Sequence, residues 1–516
     1  MRNRSSSRCR AIAIAVLMVP AVACSSIGSS PAASQNSSAS TAGGPTTLVV
    51  AQFNSDISDE WPRIDVEKVA ETIKVSGADV VGIEEGGAAM PQLARYLGWN
   101  YYDVRMQIVS RLPLIDPPDG NGVYTFVQVA PGAVVAMENV HLPSAPYGPY
   151  WVRNGRPLAD VLALERRVRL PKILPSIQAA TTLQQQGIPV ILTGDFNSPS
   201  FHDWTPATVG TRKYLLYPVD WPVTAAVEAA GFRDSYRVVH PDPVASPGLT
   251  WPVHRPVAGW NPTPIDPHDR IDFIFADGAA TPTSSEIVGE PGGPELSAIV
   301  SPFQSDHRLV VSTFTVTPGA MPTLISVPQR LIAAGGLVPV TYHAQGGDAA
   351  QVAMVSAGAD PGAGAIAKQD IGAQASTDGT LNFTTAGWQP GAYEAALLDT
   401  SGAALSRFPF WVQTPGTLPS ITTSKSSYAV AEPIEVSWQN APADRWDWVG
   451  VYKRGADPNV AYYLVWTYTL STVDGSATLN NAAQGKWPLP PGRYSAYLLK
   501  DDLYVKIAGA DFSVHR

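Results

Sequence analysis

Short apolar runs alternate with helical patterns across residues 47–316. The apolar runs predict strands at Thr47–Phe53, Val80–Ile83, Thr125–Val129, Ala133–Val140, Val190–Thr193, Ile271–Phe275 and Leu309–Val316. Helical spacing predicts helices at Asp65–Ser76 and Leu158–Gln186, and the second should break near Pro171 and Pro175. Strands and helices mixed over one long stretch indicate a layered α/β or α+β domain.

Beyond Pro318 the pattern becomes all-β and repeats itself. The matched segments are Val338–Tyr342 with Ile434–Trp438, Gly358–Pro361 with Gly455–Pro458, Asp378-Gly379 with Asp474-Gly475, and Pro390–Tyr393 with Pro491–Tyr494. Ordered matches at a nearly constant offset indicate a duplicated β-sandwich. We therefore expect two sandwiches, over residues 320–415 and 418–516.

The second repeat is rich in aromatic residues: Trp446–Tyr452, Tyr462, Tyr463 and Trp466. At a period of two, such rings are expected to fill the sandwich core. The alternative is an exposed aromatic surface that binds carbohydrate, lipid or protein.

The amino-acid composition limits the classes of protein to which the chain can belong. The 516 residues are 45% hydrophobic and 15% charged, which is typical of a folded chain. The formal net charge of −9 argues against a broad polyanion-binding face, although it does not exclude nucleic acid as a substrate.

The N-terminal residues predict export. Arginines precede the apolar stretch Ala11–Ala23, and together they form a signal peptide over residues 1–24. Ala21–Cys24 resembles a lipoprotein processing site with Cys24 as the lipidated residue; ordinary signal cleavage is the alternative. A Ser/Ala/Thr-rich tether follows over residues 25–46. The sequence thus predicts a membrane-anchored lipoprotein at the cell surface, held by lipid rather than by a transmembrane helix, or otherwise a secreted protein.

Polar residues follow several predicted strands. Asp195 and Asn197 end the strand at Val190–Thr193 and project to the same side of an extended chain. Such a pair can bind a cation, orient a water, or simply form a turn. Comparable positions at or near other strand ends are Asn54, Glu84-Glu85, His141, Asp272 and Ser305-Asp306-His307.

In this order, the residues resemble the endonuclease/exonuclease/phosphatase superfamily, the DNase-I-like hydrolases. Thr193–Asn197 with Ser305–His307 carries most of the resemblance, which covers residues 47–316. The family usually has Gln where this chain has Glu84, which adds a charge beside Glu85. The resemblance implies an α+β fold: a four-layer α/β/β/α sandwich, here followed by two all-β sandwich domains.

The resemblance also implies a role in the reaction for each of these polar residues. Glu85, Asn54 and Asp306 would lie at a divalent metal, Mg²⁺ or else Mn²⁺ or Ca²⁺. Asp195 would activate water, and Asn197 would hold that water or a phosphate oxygen. His141 and His307 would act on the phosphate side, with Asp272 orienting His307. In-line attack on a phosphoester is the expected reaction.

The substrate is left open by the sequence. Tyr147, Tyr150 and Arg153 follow His141 in a Pro-rich segment and are predicted to contact substrate. We expect a monomeric phosphodiesterase acting on nucleic acid, a phospholipid or a small phosphoester. The alternatives are a phosphomonoesterase of small or inositol phosphates, and a non-catalytic adhesion protein whose sandwiches bind a cell-surface ligand.

Overall fold

The structure is a computed structural model of the chain. It describes residues 43–57, 64–118, 122–253, 263, 266–344, 349–371, 378–443, 447–458, 461–470, 472–481, 483–500 and 504–516. All of them belong to the second of the two units into which the chain divides, Ser40–Arg516. The predicted signal peptide with Cys24, most of the tether, and Trp446 lie outside the described residues.

The first domain combines two sheets with helices. Its strands are β1 (Thr46–Asn54), β2 (Val80–Glu84), β3 (Tyr101–Asp103), β4 (Ile108–Ser110), β5 (Leu114–Ile115), β6 (Thr125–Ala130), β7 (Ala133–His141), β8 (Val190–Asp195), β9 (Arg233–Asp234), β10 (Asp272–Asp277), β11 (Ala280–Gly289), β12 (Ala298–Ile299), β13 (Leu309–Val316) and β14 (Gly319–Ala320). Its helices are α1 (Val66–Ser76), α2 (Met90–Leu97), α3 (Gly148–Arg153), α4 (Leu158–Val168), α5 (Leu170–Gln185), α6 (Pro222–Ala229) and α7 (Ser235–Val239), with a 3₁₀ turn at Gly87–Ala89.

The two sheets pack face to face between helices. The first has the order β12-β11-β13-β1-β2-β4-β3; the second has the order β5-β6-β7-β8-β10-β9, with β14 paired to β7. Alternate residues of one strand enter different layers: Ile191 packs between the sheets, whereas Leu192 packs with Ile173 and Leu183 of α5. On the far side, Val81 packs with Ile73 of α1. The architecture is the predicted four-layer α/β/β/α sandwich.

Every predicted strand is present, and the predicted helices need only local correction. Asp65 is the N-cap of α1 rather than its first residue, since its side chain accepts from the backbone N–H of Glu67. The long helix breaks at Arg169, close to the predicted Pro171, but it continues through Pro175. The buried Arg169 guanidinium stabilises this break by donating to Glu165 at 2.6 Å and to the carbonyl oxygen of Pro146 at 2.9 Å.

Two β-sandwiches follow the first domain. The first contains β15 (Leu324–Ser326), β16 (Leu331–Ala333), β17 (Leu337–His343), β18 (Ala349–Ser356), β19 (Ala365–Asp370), β20 (Asp378–Thr384), β21 (Gly391–Asp399) and β22 (Ala404–Gln413). The second contains β23 (Ser420–Thr423), β24 (Ser427–Ala429), β25 (Ile434–Gln439), β26 (Trp448–Lys453), β27 (Val465–Tyr468), β28 (Gly475–Leu479), β29 (Gln484–Gly485), β30 (Gly492–Leu499) and β31 (Lys506–His515).

The sandwiches have equivalent topologies, as the sequence repeat predicts. Sheets β15-β17-β20 and β16-β22-β21-β18-β19 correspond to β23-β25-β28 and β24-β31-β30-β26-β27, and the second copy adds β29. In both copies the tyrosine of the repeated Pro-Gly-x-Tyr segment donates to a backbone carbonyl oxygen four residues earlier, from Tyr393 to Gln389 and from Tyr494 to Pro490, each at 2.6 Å. The two sandwiches thus share this contact as well as their strand order.

The described rings that were expected to fill the core of the second sandwich lie outside it, and its core rings are instead Tyr428, Trp438, Tyr494 and Phe512. Val449 and Val451 of β26 pack in the core between its sheets. Trp448 and Tyr452 point to the opposite face of β26 and pack with Trp466 in a separate cluster. Residues of β26 do alternate between the two faces with a period of two, but the valines rather than the rings take the inward positions.

The described helices give no transmembrane candidate. The longest, α5, has 16 residues, and none combines the length with the hydropathy of a membrane span.

Candidate active site

Both sheets place their polar strand ends at one edge of the first domain. Asn54 ends β1 opposite Glu84 in the parallel β1–β2 pair. In the second sheet, His141 and Asp195 are opposite each other in the parallel β7–β8 pair. Asp272 begins the antiparallel β10, also opposite Asp195. Strand direction therefore gathers side chains that are far apart in sequence.

The Ser305–His307 segment joins the same edge because β13 runs antiparallel to β1. The Ser305 hydroxyl donates to the carbonyl oxygen of Asn54 at 2.6 Å and accepts from the backbone N–H of His307 at 2.9 Å. One buried serine thus links the end of β1 to the start of β13 and fixes the backbone beside His307.

Asp195 lies at the centre of the site and is 1% exposed. Its Oδ2 accepts from Asn54 Nδ2 at 3.0 Å and from Asn197 Nδ2 at 3.2 Å, while Oδ1 accepts from the Asn197 backbone N–H at 2.8 Å. Nε2 of His141 and Nε2 of His307 lie 3.6 Å and 3.7 Å from the same Oδ2. The structure therefore brings all five predicted side chains together.

Burial controls the charge of Asp195. Loss of solvent raises the pKa of this carboxyl to about 6, although the neighbouring His307 opposes the rise. A carboxylate with a pKa just below neutral can accept a proton from water and is still ionised at pH 7. The group therefore suits a general base.

His307 is held by Asp272, as predicted. Its Nδ1 lies 2.9 Å from Asp272 Oδ2, and the other carboxylate oxygen accepts from Gln52 Nε2 at 2.8 Å. Burial lowers the pKa of His307, but the charges of Asp272 and Asp195 outweigh it and raise the pKa well above its ordinary value. His307 is therefore an imidazolium at neutral pH, with Nε2 directed toward Asp195.

The predicted metal ligands are oxygen donors at the rim of this group. Glu85 Oε1 accepts from Asn54 Nδ2 at 3.2 Å, and the Glu85 side chain keeps 32% exposure. Asp306 Oδ2 accepts from the Trp251 indole N–H at 3.2 Å. Asn54 Oδ1 is buried and has no hydrogen-bond partner among the described residues. Two carboxylates and a buried amide oxygen that still needs a partner fit a hard divalent cation.

A second group could also hold a cation. Ligand atoms of Asp195, Asp272 and His307 lie within 4.8 Å of one another. However, both oxygens of Asp272 already accept hydrogen bonds, from His307 and from Gln52. A cation there would compete with the bonds that orient His307, so the Asn54, Glu85 and Asp306 set fits better.

Glu84 does not add the neighbouring charge that the sequence predicts. Its side chain is buried, and one carboxyl oxygen accepts from Gln52 Nε2 at 2.5 Å. Burial raises the pKa of Glu84 well above its ordinary value, and Asp272 and Asp195 raise it further. Burial therefore favours the neutral form of Glu84 beneath the site, whereas Glu85 lines a cleft together with His141, Asp195, Trp251 and His307.

Two site residues have unusual backbone conformations. Glu85 has φ of 55° and Asn197 has φ of 47°, both in the left-handed region that non-glycine residues seldom occupy. Each lies one or two residues past the end of a strand. Such conformations cluster at functional sites because surrounding contacts must hold them in place.

The three predicted substrate residues do not line the described cleft. Tyr147 is buried, its hydroxyl donates to Asp269 at 3.0 Å, and its ring packs 5.5 Å from that of Trp251. Tyr147 thus supports Trp251 rather than facing substrate, which corrects the prediction. Arg153 pairs with Asp266 at 3.1 Å and lies over the Tyr150 ring at 4.7 Å, so these two groups contact each other.

The sequence interpretation missed Gln52 and Trp251 as site residues. Gln52 bridges Glu84 and Asp272. Its position two residues before Asn54 on a strand places both side chains on one face, and this signal was available. Trp251 lines the cleft and donates to Asp306. Its partner is 55 residues away, so no local pattern could reveal the contact.

The sequence match agrees with this geometry. A sequence model described as the Endonuclease/Exonuclease/phosphatase family matches residues 52–307, from Gln52 to His307. The first domain belongs to this family. Family members act on phosphoester bonds and generally depend on a divalent metal. The assignment supports a phosphoester hydrolase.

Individual relatives are distant. The chain is 29% identical over 303 residues to an uncharacterized protein of Caenorhabditis elegans, covering 55% of this chain and 95% of that protein. It is similar to an endonuclease/exonuclease/phosphatase from Beutenbergia cavernae DSM 12333, at 18% identity, 71% and 99% coverage of the two chains, and a TM-score of 0.34. A family protein from Bacteroides thetaiotaomicron gives 13% identity, 53% and 96% coverage, and a TM-score of 0.30.

Proposed function

We propose that the protein is an exported, Mg²⁺-dependent phosphodiester hydrolase. The observation that carries the proposal is the buried Asp195 carboxylate, which has two asparagine donors and two histidine Nε2 atoms within 3.7 Å. A carboxylate with a pKa of about 6 beside an imidazolium provides a base for water and a cation for a phosphoryl oxygen.

The contacts of these side chains support the following roles. Asp195 accepts the proton of the attacking water, and Asn197 orients that water. Oxygen attacks phosphorus in line, the bond to the leaving oxygen breaks, and the leaving oxygen takes up a proton from solvent. His307 and His141 donate hydrogen bonds to phosphoryl oxygens, and Asp272 keeps His307 charged and oriented.

The predicted metal ligands complete the proposed mechanism. Asn54, Glu85 and Asp306 would hold the divalent cation, whose charge neutralises the phosphoryl oxygens when it is bound. Trp251 and Asn54 orient this set through their hydrogen bonds to Asp306 and Glu85.

A substrate panel tests the proposal. Plasmid DNA, sphingomyelin, bis-p-nitrophenyl phosphate and p-nitrophenyl phosphate are assayed with EDTA and after addition of Mg²⁺, Mn²⁺ or Ca²⁺. We expect Mg²⁺-dependent cleavage of a diester and a loss of about 10²–10⁴-fold in Asp195→Ala and His307→Ala. Preferred cleavage of p-nitrophenyl phosphate would indicate a monoesterase instead.

Matched controls separate catalysis from folding. Asp220→Ala removes an exposed aspartate, and His202→Ala removes a partly exposed histidine that pairs with Glu228 at 2.9 Å. Both should keep wild-type turnover. Full activity in EDTA, or in Asp195→Ala, would contradict the mechanism.

We also propose that lipidation of Cys24 anchors the enzyme to the outer face of a membrane. The basic and apolar segments before Cys24 and the Ser-rich stretch after it support this proposal. The test is metabolic labelling with a radioactive fatty acid, comparing wild type with Cys24→Ala. Labelling that depends on Cys24 supports the anchor, whereas an unlabelled, released wild-type protein indicates plain secretion.

A further inference from the structure

One face of the second sandwich lines the same cleft as the catalytic residues. Six rings form this face, which we call the aromatic wall: Trp448, Tyr463, Trp466, Tyr468, Tyr497 and Tyr504. From the first domain, Glu85, His141, Asp195 and His307 line the cleft, whose volume is about 830 Å³. Pockets of this size enclose small-molecule ligands. The second sandwich therefore contributes directly to the space in front of the site.

The position of the wall follows from strand alternation. Trp448 on β26, Trp466 on β27 and Tyr497 on β30 are neighbours across one sheet and point away from the sandwich core. The first domain contacts this face through Lys172 of α5, whose Nζ lies 5.6 Å from the Trp466 ring centroid. Burial lowers the pKa of Lys172. The wall is thus packed against the catalytic domain.

The rings are arranged at nearly right angles around Trp448. Its ring plane makes angles of 79° with Tyr463, 80° with Trp466 and 83° with Tyr504, at centroid distances of 5.5, 5.8 and 5.9 Å. Edge-to-face rings at these distances contact one another, so they form one continuous aromatic surface along the cleft. The electron-rich faces of Trp and Tyr attract cations, and aromatic cages bind alkylated ammonium groups.

The charges around the cleft favour a cation at the wall. The described residues that line the cleft include four carboxylates, on Glu85, Asp195, Asp306 and Asp457, but only one lysine, Lys506, and no arginine. Long polyanions would therefore find little positive charge beyond the catalytic group.

Two ammonium groups of the protein already lie over rings of the wall. Lys506 Nζ is 4.9 Å from the Tyr497 centroid, and Lys172 Nζ is 5.6 Å from that of Trp466. These distances are within the range of cation–π attraction, so two rings of the wall already pair with cationic side chains of the protein.

We propose that the aromatic wall is a binding subsite for an alkylammonium group carried by the phosphoester substrate. The inference rests on the proposed hydrolase function, because it places the phosphate at Asp195 and His307 and the ammonium group against the wall. A choline-type phosphodiester has this chemistry, either as a lipid headgroup or as a soluble ester. Under this assignment the catalytic domain supplies the reaction and the second sandwich selects the substrate.

The test compares two esters that differ in charge alone. p-Nitrophenylphosphorylcholine carries a quaternary ammonium, and p-nitrophenyl 3,3-dimethylbutyl phosphate carries a neutral group of the same shape. For the wild-type protein we expect KM to be about tenfold lower for the choline ester. Tyr463→Leu and Tyr504→Leu should abolish most of this preference while changing kcat less than about twofold.

Tyr462→Leu is the matched control. Tyr462 is adjacent to Tyr463, but it is 88% exposed and is not among the described residues that line the cleft. This variant should keep the wild-type preference. Equal KM values for the two esters, or equal effects of Tyr462→Leu and Tyr463→Leu, would overturn the subsite.

A binding measurement separates this proposal from the proposed function. Tetramethylammonium chloride should quench tryptophan fluorescence of the intact protein, with an affinity about tenfold weaker in Tyr463→Leu than in Tyr462→Leu. If quenching follows this order but neither ester is hydrolysed, the hydrolase proposal fails and the subsite stands. If esters are hydrolysed without charge preference and quenching is absent, the subsite fails. If the choline ester is preferred, cleavage of glycerophosphocholine indicates a soluble substrate, and cleavage of phosphatidylcholine vesicles indicates a lipid substrate.

Discussion

Replacing Asp272 with asparagine should reduce catalysis without removing any group that contacts substrate. The Asp272→Asn change keeps the shape of the side chain and removes the charge 2.9 Å from His307 Nδ1. At an effective dielectric constant of about 20, opposite charges at this distance attract by about 6 kcal/mol. Burial offsets part of this attraction, and loss of one partner of a buried, hydrogen-bonded pair costs about 2–5 kcal/mol. We therefore expect kcat/KM to fall by about 10²–10³-fold at pH 8.

The pH profile gives the diagnostic result. Asp272 raises the pKa of His307, so its charge keeps the imidazolium protonated as the pH rises. Without that charge the pKa falls, and activity should be lost from the alkaline side at a lower pH than in wild type. The assay is kcat/KM for bis-p-nitrophenyl phosphate between pH 5 and 9 at saturating Mg²⁺.

An equivalent pair outside the site serves as the control. His343 and Asp378 of the first sandwich lie 2.7 Å apart, so Asp378→Asn breaks the same kind of contact away from the catalytic residues. It should leave the profile unchanged. Wild-type activity of Asp272→Asn at pH 8, or an unshifted alkaline limb, would refute the role given to this aspartate.

Three further predictions concern other parts of the site. Activity should decline as the pH falls below about 6, because protonation of Asp195 removes the base, and a bound cation would shift this decline to lower pH. A pH–rate profile in which activity rises as the pH falls would contradict this prediction. Glu84→Gln should keep activity within about threefold because that carboxyl is already neutral, whereas Glu85→Gln should lose about 100-fold or more in the same assay. Gly194→Ala should lower the melting temperature by about 5 °C or more, since its Cβ would lie 2.2 Å from a backbone oxygen. Gly44→Ala, with nothing within 4 Å of its Cβ, is the calorimetric control.

The sequence predicts the parts of this molecule that depend on local pattern. The buried strands are continuous apolar runs because helices or a second sheet cover both of their faces. The polar residues that end them, Asn54, His141 and Asp195, are therefore visible as abrupt changes in pattern. The duplicated sandwich is equally visible, since its turns repeat at a nearly constant spacing.

Contacts between distant segments were beyond prediction. Tyr147 was expected at the substrate, but the buried Asp269, 122 residues later, binds its hydroxyl. Glu84 was expected to be charged, but burial beside Asp272 and Asp195 neutralises it. Likewise, alternation on β26 shows that Trp448 and Val449 face opposite ways, but not which of the two faces the core.

The duplicated scaffold has an implication for how specificity is distributed in the chain. At the offset of the neighbouring Gly358 and Gly455 match, which is 97 residues, Gln351 and Val355 of the first copy occupy the places of Trp448 and Tyr452 in the second. Both copies keep their inner core, so the outer face is the part that differs without cost to the sandwich fold. A duplicated sandwich of this kind lets an enzyme acquire a new substrate preference through substitutions at a few outward-facing residues of one domain, while its catalytic residues remain unaltered on another domain.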